Sequence, residues 1–193
     1  MKGKSYIVQN IDKGIWKIPA GSNIYLLMLD EPIAIDTGSR KNRREAEFIE
    51  HIIDPRNVKK VIFTHLHHDH IGNFDIFPNA GLFASEEAIE SFRKDPEGTV
   101  NDKEIAERFK TAKLNPAADL KNKSIEIIKT PGHTKGSICI YLKERQILFS
   151  GDTIFPDKRI GRTDFPTSVP KEMPKSLMKL VKYPFRILCP GHD

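Results

Sequence analysis

Six consecutive residues, His65-Leu66-His67-His68-Asp69-His70, carry the densest potential for chemistry in this sequence. With only 7 histidines in 193 residues, the pattern His-x-His-x-Asp-His is not readily a coincidence of composition. His65 and His67 are two apart, so in extended backbone they project to one side. Asp69 and His70 require the chain to turn. One short segment can thereby offer donors to two adjacent ions. Imidazole with carboxylate suits zinc, manganese or iron better than calcium or magnesium. Three more candidates stand in similar positions. His133 lies in Thr-Pro-Gly-His-Thr, Asp152 in Ser-Gly-Asp-Thr, and His192 in Cys-Pro-Gly-His-Asp, each just after an apolar stretch. A lone histidine is more often structural than ligating, but this cluster and the repeated strand–glycine–donor pattern occur together. His68 is expected to face away from its neighbours, and His51 falls on a helix.

The elements that must position these groups follow from periodicity. Tyr6–Ile11, Gly14–Ile18, Asn23–Leu29 and Pro32–Ile35 read as strands separated by turn residues. Arg40–Ile53 reads as a helix capped by Ser39 and ended by Pro55. Val58–Thr64 is an apolar strand running straight into the histidine cluster. A strand at Gly81–Ala84 and a helix at Ser85–Phe92 follow. The polar stretch 93–123 holds a helix at Asp102–Phe109 and is either a lid over the site or a solvated connection. Strands at Ser124–Thr130, Ser137–Leu142 and Gln146–Phe149 precede a helix at Lys171–Lys182, expected to be irregular at Pro174. Arg186–Cys189 is the last strand. Two sheets with helices outside them are implied.

Composition narrows the class. Length implies one domain over 1–193. The longest apolar run, Ile24–Leu29, is six residues, against about 20 for a membrane helix. No apolar segment follows the N-terminal Lys residues, so a cytoplasmic protein is expected. The net charge of +5 reads as a solvated Lys-rich surface, and no aromatic-interleaved basic run points to nucleic acid. Cys139 and Cys189 are too few for a disulfide framework and read as small buried apolar residues.

The segments HLHHDH, PGHT, SGD and PGH, in that order along nearly the whole chain, resemble the metallo-β-lactamase superfamily. The resemblance implies a four-layer αββα sandwich with a metal site on one rim. It implies that His65, His67 and His133 hold a first metal, that Asp69, His70 and His192 hold a second, and that Asp152 bridges them. Asp36, in Ile-Asp-Thr-Gly, matches the family's aspartate that orients ligand imidazoles. GDTIF followed by IGRTDF is similar to short hydroxyacylglutathione hydrolases (the glyoxalase II group), and GRTDF also to persulfide dioxygenases. Full-length glyoxalase II enzymes carry a C-terminal helical substrate domain, which is not expected here. Asp193, following His192, is expected near the second metal. Lys135 stands where the family often has proline.

The resulting expectation is a hydrolase with two zinc ions, iron or manganese being alternatives. A bridging hydroxide, steered by Asp69 and Asp152, attacks a small-molecule thioester such as S-lactoylglutathione. A thiolate leaves without a dedicated general acid, because its conjugate thiol has a pKa of about 8.5. Arg162 either binds a substrate carboxylate or phosphate by its planar fork or pairs with Asp164 or Asp157. The competing readings are a mononuclear-iron persulfide dioxygenase on His65, His133 and Asp152, a metal-dependent nuclease, and a metal-binding scaffold without catalysis. Oligomeric state is not readable from the sequence.

Overall fold

The computed structural model of the chain describes residues 7–40 and 44–193. A meander of β1 (Gln9–Asp12), β2 (Ile15–Ile18), β3 (Ile24–Leu27) and β4 (Ile33–Ile35) pairs antiparallel. Strands β5 (Lys60–Ile62), β6 (Gly81–Ala84) and β7 (Leu114–Pro116) extend the same sheet in parallel. Each is reached by helical crossover: α1 (Arg44–Ile52), then α2 (His68–Ile71), then α3 (Glu86–Lys94), α4 (Pro96–Val100) and α5 (Lys103–Phe109). The second sheet has β8 (Ile125–Lys129), β9 (Ile138–Leu142), β10 (Ile147–Gly151) and β11 (Ile187–Pro190), in the order β11-β10-β9-β8. Helix α6 (Met173–Leu180) carries the chain from β10 to the parallel β11.

Strand alternation sorts the side chains into layers. On β3, Tyr25 and Leu27 face the other sheet, while Ile24 and Leu26 face the helices. On β9, Ile138, Ile140 and Leu142 face inward, while Cys139 and Tyr141 join Leu180 of α6. Three apolar layers thus separate helices, sheet, sheet and helix, the αββα order expected. The inter-sheet layer includes Phe149, whose ring meets that of Tyr25 edge-on at 5.1 Å. Each such fully buried side chain contributes roughly 1.5–3 kcal/mol of transfer free energy.

Several boundaries differ from the sequence reading. Arg40 sits in a turn, and the helix begins at Arg44; residues 41–43 of the expected helix, and Tyr6 of the first expected strand, lie outside the described residues. Pro174 causes no irregularity. It occupies the first turn of α6 after a short 3-10 turn at Pro170–Glu172, where a missing N–H costs no helical bond. The stretch 93–123 is not merely a solvated connection, and its Asn101 reaches the cavity over the rim. Val100, Ile105, Ala106 and Phe109 are buried in the outer core, and the Phe109 ring lies 5.7, 5.0 and 5.2 Å from those of Phe63, Phe74 and Phe92. The sequence reading missed β7. It is three residues long and shows no alternation, and its Pro116 is tolerated because β7 is an edge strand.

The topology fixes one rim. Strands β4 and β5 are parallel, and β8, β10 and β11 share a direction through the antiparallel β9. Their C-terminal ends deliver Asp36, the His65–His70 segment, His133, Asp152 and His192. Backbone bonds clamp the two sheets there: Ile138 N donates to Thr64 O at 2.9 Å, and Asn23 N to Gly191 O at 2.7 Å.

Candidate metal centre

Side-chain donors converge at this rim in three overlapping groups: His65–His67–His133, His65–His70–Asp152 and Asp69–His70–His192. Within each group the donor atoms lie within 4.8 Å of one another. All seven residues expected as ligands belong to these groups. His65 and His67 are in the extended stretch after β5, and α2 begins at His68, which supplies the turn that brings Asp69 and His70 around.

The ring tautomers can be argued from the outer partners. His133 Nδ1 lies 2.7 Å from the Arg162 carbonyl oxygen, which can only accept. His70 Nδ1 lies 2.8 Å from Asp36 Oδ2. Both rings therefore carry a proton on Nδ1 and turn Nε2 to the centre, where it can hold a proton or a cation. His133 Nε2 is 3.0 Å from His67 Nδ1, His67 Nδ1 is 3.1 Å from His65 Nε2, and His70 Nε2 is 3.3 Å from His192 Nε2. His67 Nδ1 can donate to only one of its two neighbours, so at least one inward nitrogen there keeps an unpaired lone pair. Asp152 Oδ1 is buried with no hydrogen-bond partner at all. A buried, orphaned carboxylate oxygen amid inward nitrogens fits a cation.

Burial and charge divide these groups into two populations. Burial, with the neighbouring rings, holds His65 far below the ordinary histidine range, and burial pushes His67 down to about 3. Burial likewise lowers His133, against the opposing pull of Asp152. These three are neutral, as a metal ligand must be. Burial opposes charge on His70 too, but Asp36, Asp152 and Asp69 outweigh it and raise that ring well above its usual value. His192 rises to about 9 against burial, through hydrogen bonds with Asp152 and Asp69. Burial would raise both carboxylates, yet His70 and His192 hold Asp69 and Asp152 below the usual carboxylate range. Without metal, cationic rings compensate the two carboxylates.

Asp36 has φ +55° and is buried. Its Oδ1 accepts from Thr64 N and its Oδ2 from Thr64 Oγ1, both at 2.8 Å. Thr64, which the sequence reading did not single out, sits 3.2 Å from His65 Nδ1 through its hydroxyl. Its position directly before the first histidine was the available signal. Thr167 Oγ1, 3.5 Å from His67 Nε2, was also missed, as was Phe165, whose ring meets His67 and His133 edge-on at 5.1 and 5.7 Å.

A cavity of about 340 Å³ opens over the donors. His68, the first residue of α2, is among the lining residues, and its nitrogens belong to none of the three donor groups. Phe155, Ile160 and Phe165 form an apolar wall, and Arg159 and Arg162 stand at the mouth. The Arg162 guanidinium is exposed, pairs with Asp164 at 2.8 Å and lies 4.6 Å from the Phe165 ring centroid. Asp193 does not join the donors. Its carboxylate pairs with Lys17 and lies 3.5 Å from Asn23 Nδ2. Among the described residues no helix is long and apolar enough to cross a membrane.

A family profile described as the metallo-beta-lactamase superfamily matches residues 19–192. The chain is 27% identical over 165 residues to human acyl-coenzyme A thioesterase MBLAC2, covering 69% of this chain and 58% of that protein. It is 29% identical over 109 residues to a hydroxyacylglutathione hydrolase of Prochlorococcus marinus, covering 51% and 38%. The chain spans about half the length of the curated relatives it matches. Among solved structures, TTHA1623 in a di-iron-bound form superposes with a TM-score of 0.68 at 23% identity, covering 91% of this chain and 89% of that one.

Proposed function

Because the chain belongs to the metallo-β-lactamase superfamily, we propose that it is a dinuclear metal hydrolase, with two zinc ions, that cleaves an acyl thioester such as S-lactoylglutathione. The observation that carries this reading is the convergence of five inward histidine nitrogens on Asp152, whose buried Oδ1 accepts no hydrogen bond. His65, His67 and His133 would hold one cation, Asp69, His70 and His192 the other, and Asp152 both. When bound, such cations supply a water of lowered pKa and polarise a carbonyl oxygen.

The chain's own groups supply the rest. Asp69 Oδ2 and Asp152 Oδ2 lie 3.2 and 3.4 Å from His192 Nε2. Held anionic, they accept hydrogen bonds from an attacking water and orient it. Asp36 and the Arg162 carbonyl fix the tautomers of His70 and His133. Phe155, Ile160 and Phe165 exclude solvent from the reacting acyl group. A C–O bond forms to the attacking water, the C–S bond breaks, and the water's proton passes to the departing sulfur. Among the described residues, Asp69 and Asp152 are the carboxylates lining this cavity. A thiolate leaving group needs no dedicated general acid. Arg159 and Arg162 at the mouth pair with Asp157 and Asp164, and an acidic thiol carrier would compete with those carboxylates for them. The relatives' printed names support thioester chemistry, and the di-iron neighbour supports iron as the alternative metal.

The test is elemental analysis of the purified protein followed by lactoyl thioesters of glutathione, coenzyme A and a small thiol, set against a β-lactam and a phosphodiester. Two metal equivalents with thioester cleavage fastest are expected. A single iron with oxygen uptake on glutathione persulfide, and no thioester cleavage, would replace this reading with the dioxygenase.

A further inference from the structure

Two residues after Asp152 the chain folds back on itself. Phe155 N donates to Arg159 O at 3.0 Å, Lys158 N to Phe155 O at 3.1 Å and Gly161 N to Thr153 O at 3.4 Å, while Ile154 and Ile160 pair antiparallel. Lys158 helps close the turn at φ +64°. The returning arm is tied to the metal donors at two points. A Cβ at Gly161 would lie 1.8 Å from Asp152 O, so only glycine lets the arm come this close to the backbone of that residue. One residue on, the Arg162 carbonyl oxygen accepts from His133 Nδ1 at 2.7 Å. Ile160, directly before Gly161, is therefore held at a fixed place beside the donors, and it lines the same cavity as they do.

Ile160 is 46% exposed, although it is large and apolar. Its β-branched side chain has few rotamers, so the exposed carbon is already in place for a ligand to cover. The polar side chains of the same arm are engaged. Arg159 pairs with Asp157, and its guanidinium lies 5.4 Å from the Phe155 ring centroid. Arg162 repeats the arrangement with Asp164 and Phe165. Each cation is thus held by a carboxylate and laid on a ring. His68 and Asn101, the polar lining residues outside the donor set and these two arginines, come from α2 and from the end of α4. A substrate group lying against Ile160 and Phe155 therefore meets carbon. A hydroxyl buried there leaves water without gaining a partner, whereas a methyl or methylene removes apolar surface from water on both sides.

We propose that Ile160 selects the acyl group, so that thioesters of plain apolar acyl groups are preferred to α-hydroxyacyl thioesters of the same size, propionyl over lactoyl. The donors and Ile160 line one cavity, so a thioester attacked at the donors carries its acyl substituent into the space that Ile160 and Phe155 wall. The chemistry rests on the thioesterase reading, and the selectivity rests on the hairpin. S-lactoylglutathione is then a substrate, but a poorer one than its propionyl counterpart.

Propionyl and lactoyl groups differ by one hydroxyl, and two measurements use that pair. The first is kcat/KM for S-propionylglutathione and S-lactoylglutathione. An unpaired buried hydroxyl lowers binding by about fivefold or more, so a propionyl preference of at least that size is expected. Ile160→Thr keeps the β-branch and supplies a hydroxyl, and should cut the preference to below twofold; Ile160→Val should keep it. Elemental analysis should show native metal content in both variants. The second is calorimetric binding of S-propylglutathione and S-(2-hydroxypropyl)glutathione, thioethers that have no carbonyl to hydrolyse. Tighter binding of the propyl compound by fivefold or more, abolished by Ile160→Thr, supports the selectivity even if no thioester is cleaved, an outcome that would sink the hydrolase reading alone. Thioester cleavage with a propionyl preference short of fivefold, or a preference that Ile160→Thr leaves unmoved, overturns the role of Ile160 and leaves the hydrolase reading standing.

Discussion

Replacing Asp36 with Asn isolates what one buried carboxylate does for the metal centre. Asp36 sits at φ +55°, which Asn adopts as readily, so the backbone bears no cost. The amide oxygen can still accept from Thr64 N. The amide nitrogen must then face Thr64 Oγ1 and His70 Nδ1, both of which donate to the native carboxylate at 2.8 Å. The hydroxyl can rotate; the ring cannot keep its proton on Nδ1 against an NH₂ group. His70 therefore moves that proton to Nε2, the atom 3.3 Å from His192 Nε2 and 3.5 Å from Asp152 Oδ1. Its inward lone pair is lost. Disturbing such an outer partner lowers metal affinity by about 10–100-fold, or roughly 1.4–2.7 kcal/mol. The loss should fall on the Asp69–His70–His192 group, because no bond joins Asp36 to His67 or His133. Metal-free protein should also lose about 1.5–3 kcal/mol with the charge-assisted bond, a drop in Tm of roughly 3–12 °C for a chain of this size. Zinc titration of metal-free native and Asp36→Asn protein against a competing chelator reads both constants. Two equivalents bound with unchanged constants in the variant would refute the tautomer argument.

Two further outcomes follow from the same geometry. A Cβ at Gly191 would lie 2.2 Å from Asp152 Oδ1 and 2.8 Å from His70 Cε1, so Gly191→Ala should cost one metal equivalent by elemental analysis while circular dichroism still reports a folded chain. Burial raises Cys139 to about 11 and Cys189 to about 12; at pH 8 at most about one thiol in a thousand is ionised, and a colorimetric thiol reagent should find neither in native protein and both after denaturation.

Much of the site was legible because its donors are local in sequence or follow a repeated grammar. His65, His67, Asp69 and His70 fall within six residues, and Pro-Gly-His recurs before His133 and His192. The order of strand runs and helices likewise implied two sheets with helices outside them. Other features could not be read locally. The leucine, asparagine and proline of β7 carry no periodicity, and they become a strand only because β6 offers them an edge. The polar stretch 93–123 is fixed by Phe109, whose partners Phe63, Phe74 and Phe92 are remote in sequence. That Asp193 turns away from the donors depends on Lys17, 176 residues earlier. Ile160 is the clearest case: it is unremarkable in the sequence, and it lines the cavity only because the chain folds back after Asp152 and presses Gly161 against that residue. Residue types and spacing determined which groups could hold a metal. Tertiary structure decided which proton each histidine carries and how much apolar space adjoins them, because both depend on partners that meet only when the two sheets close.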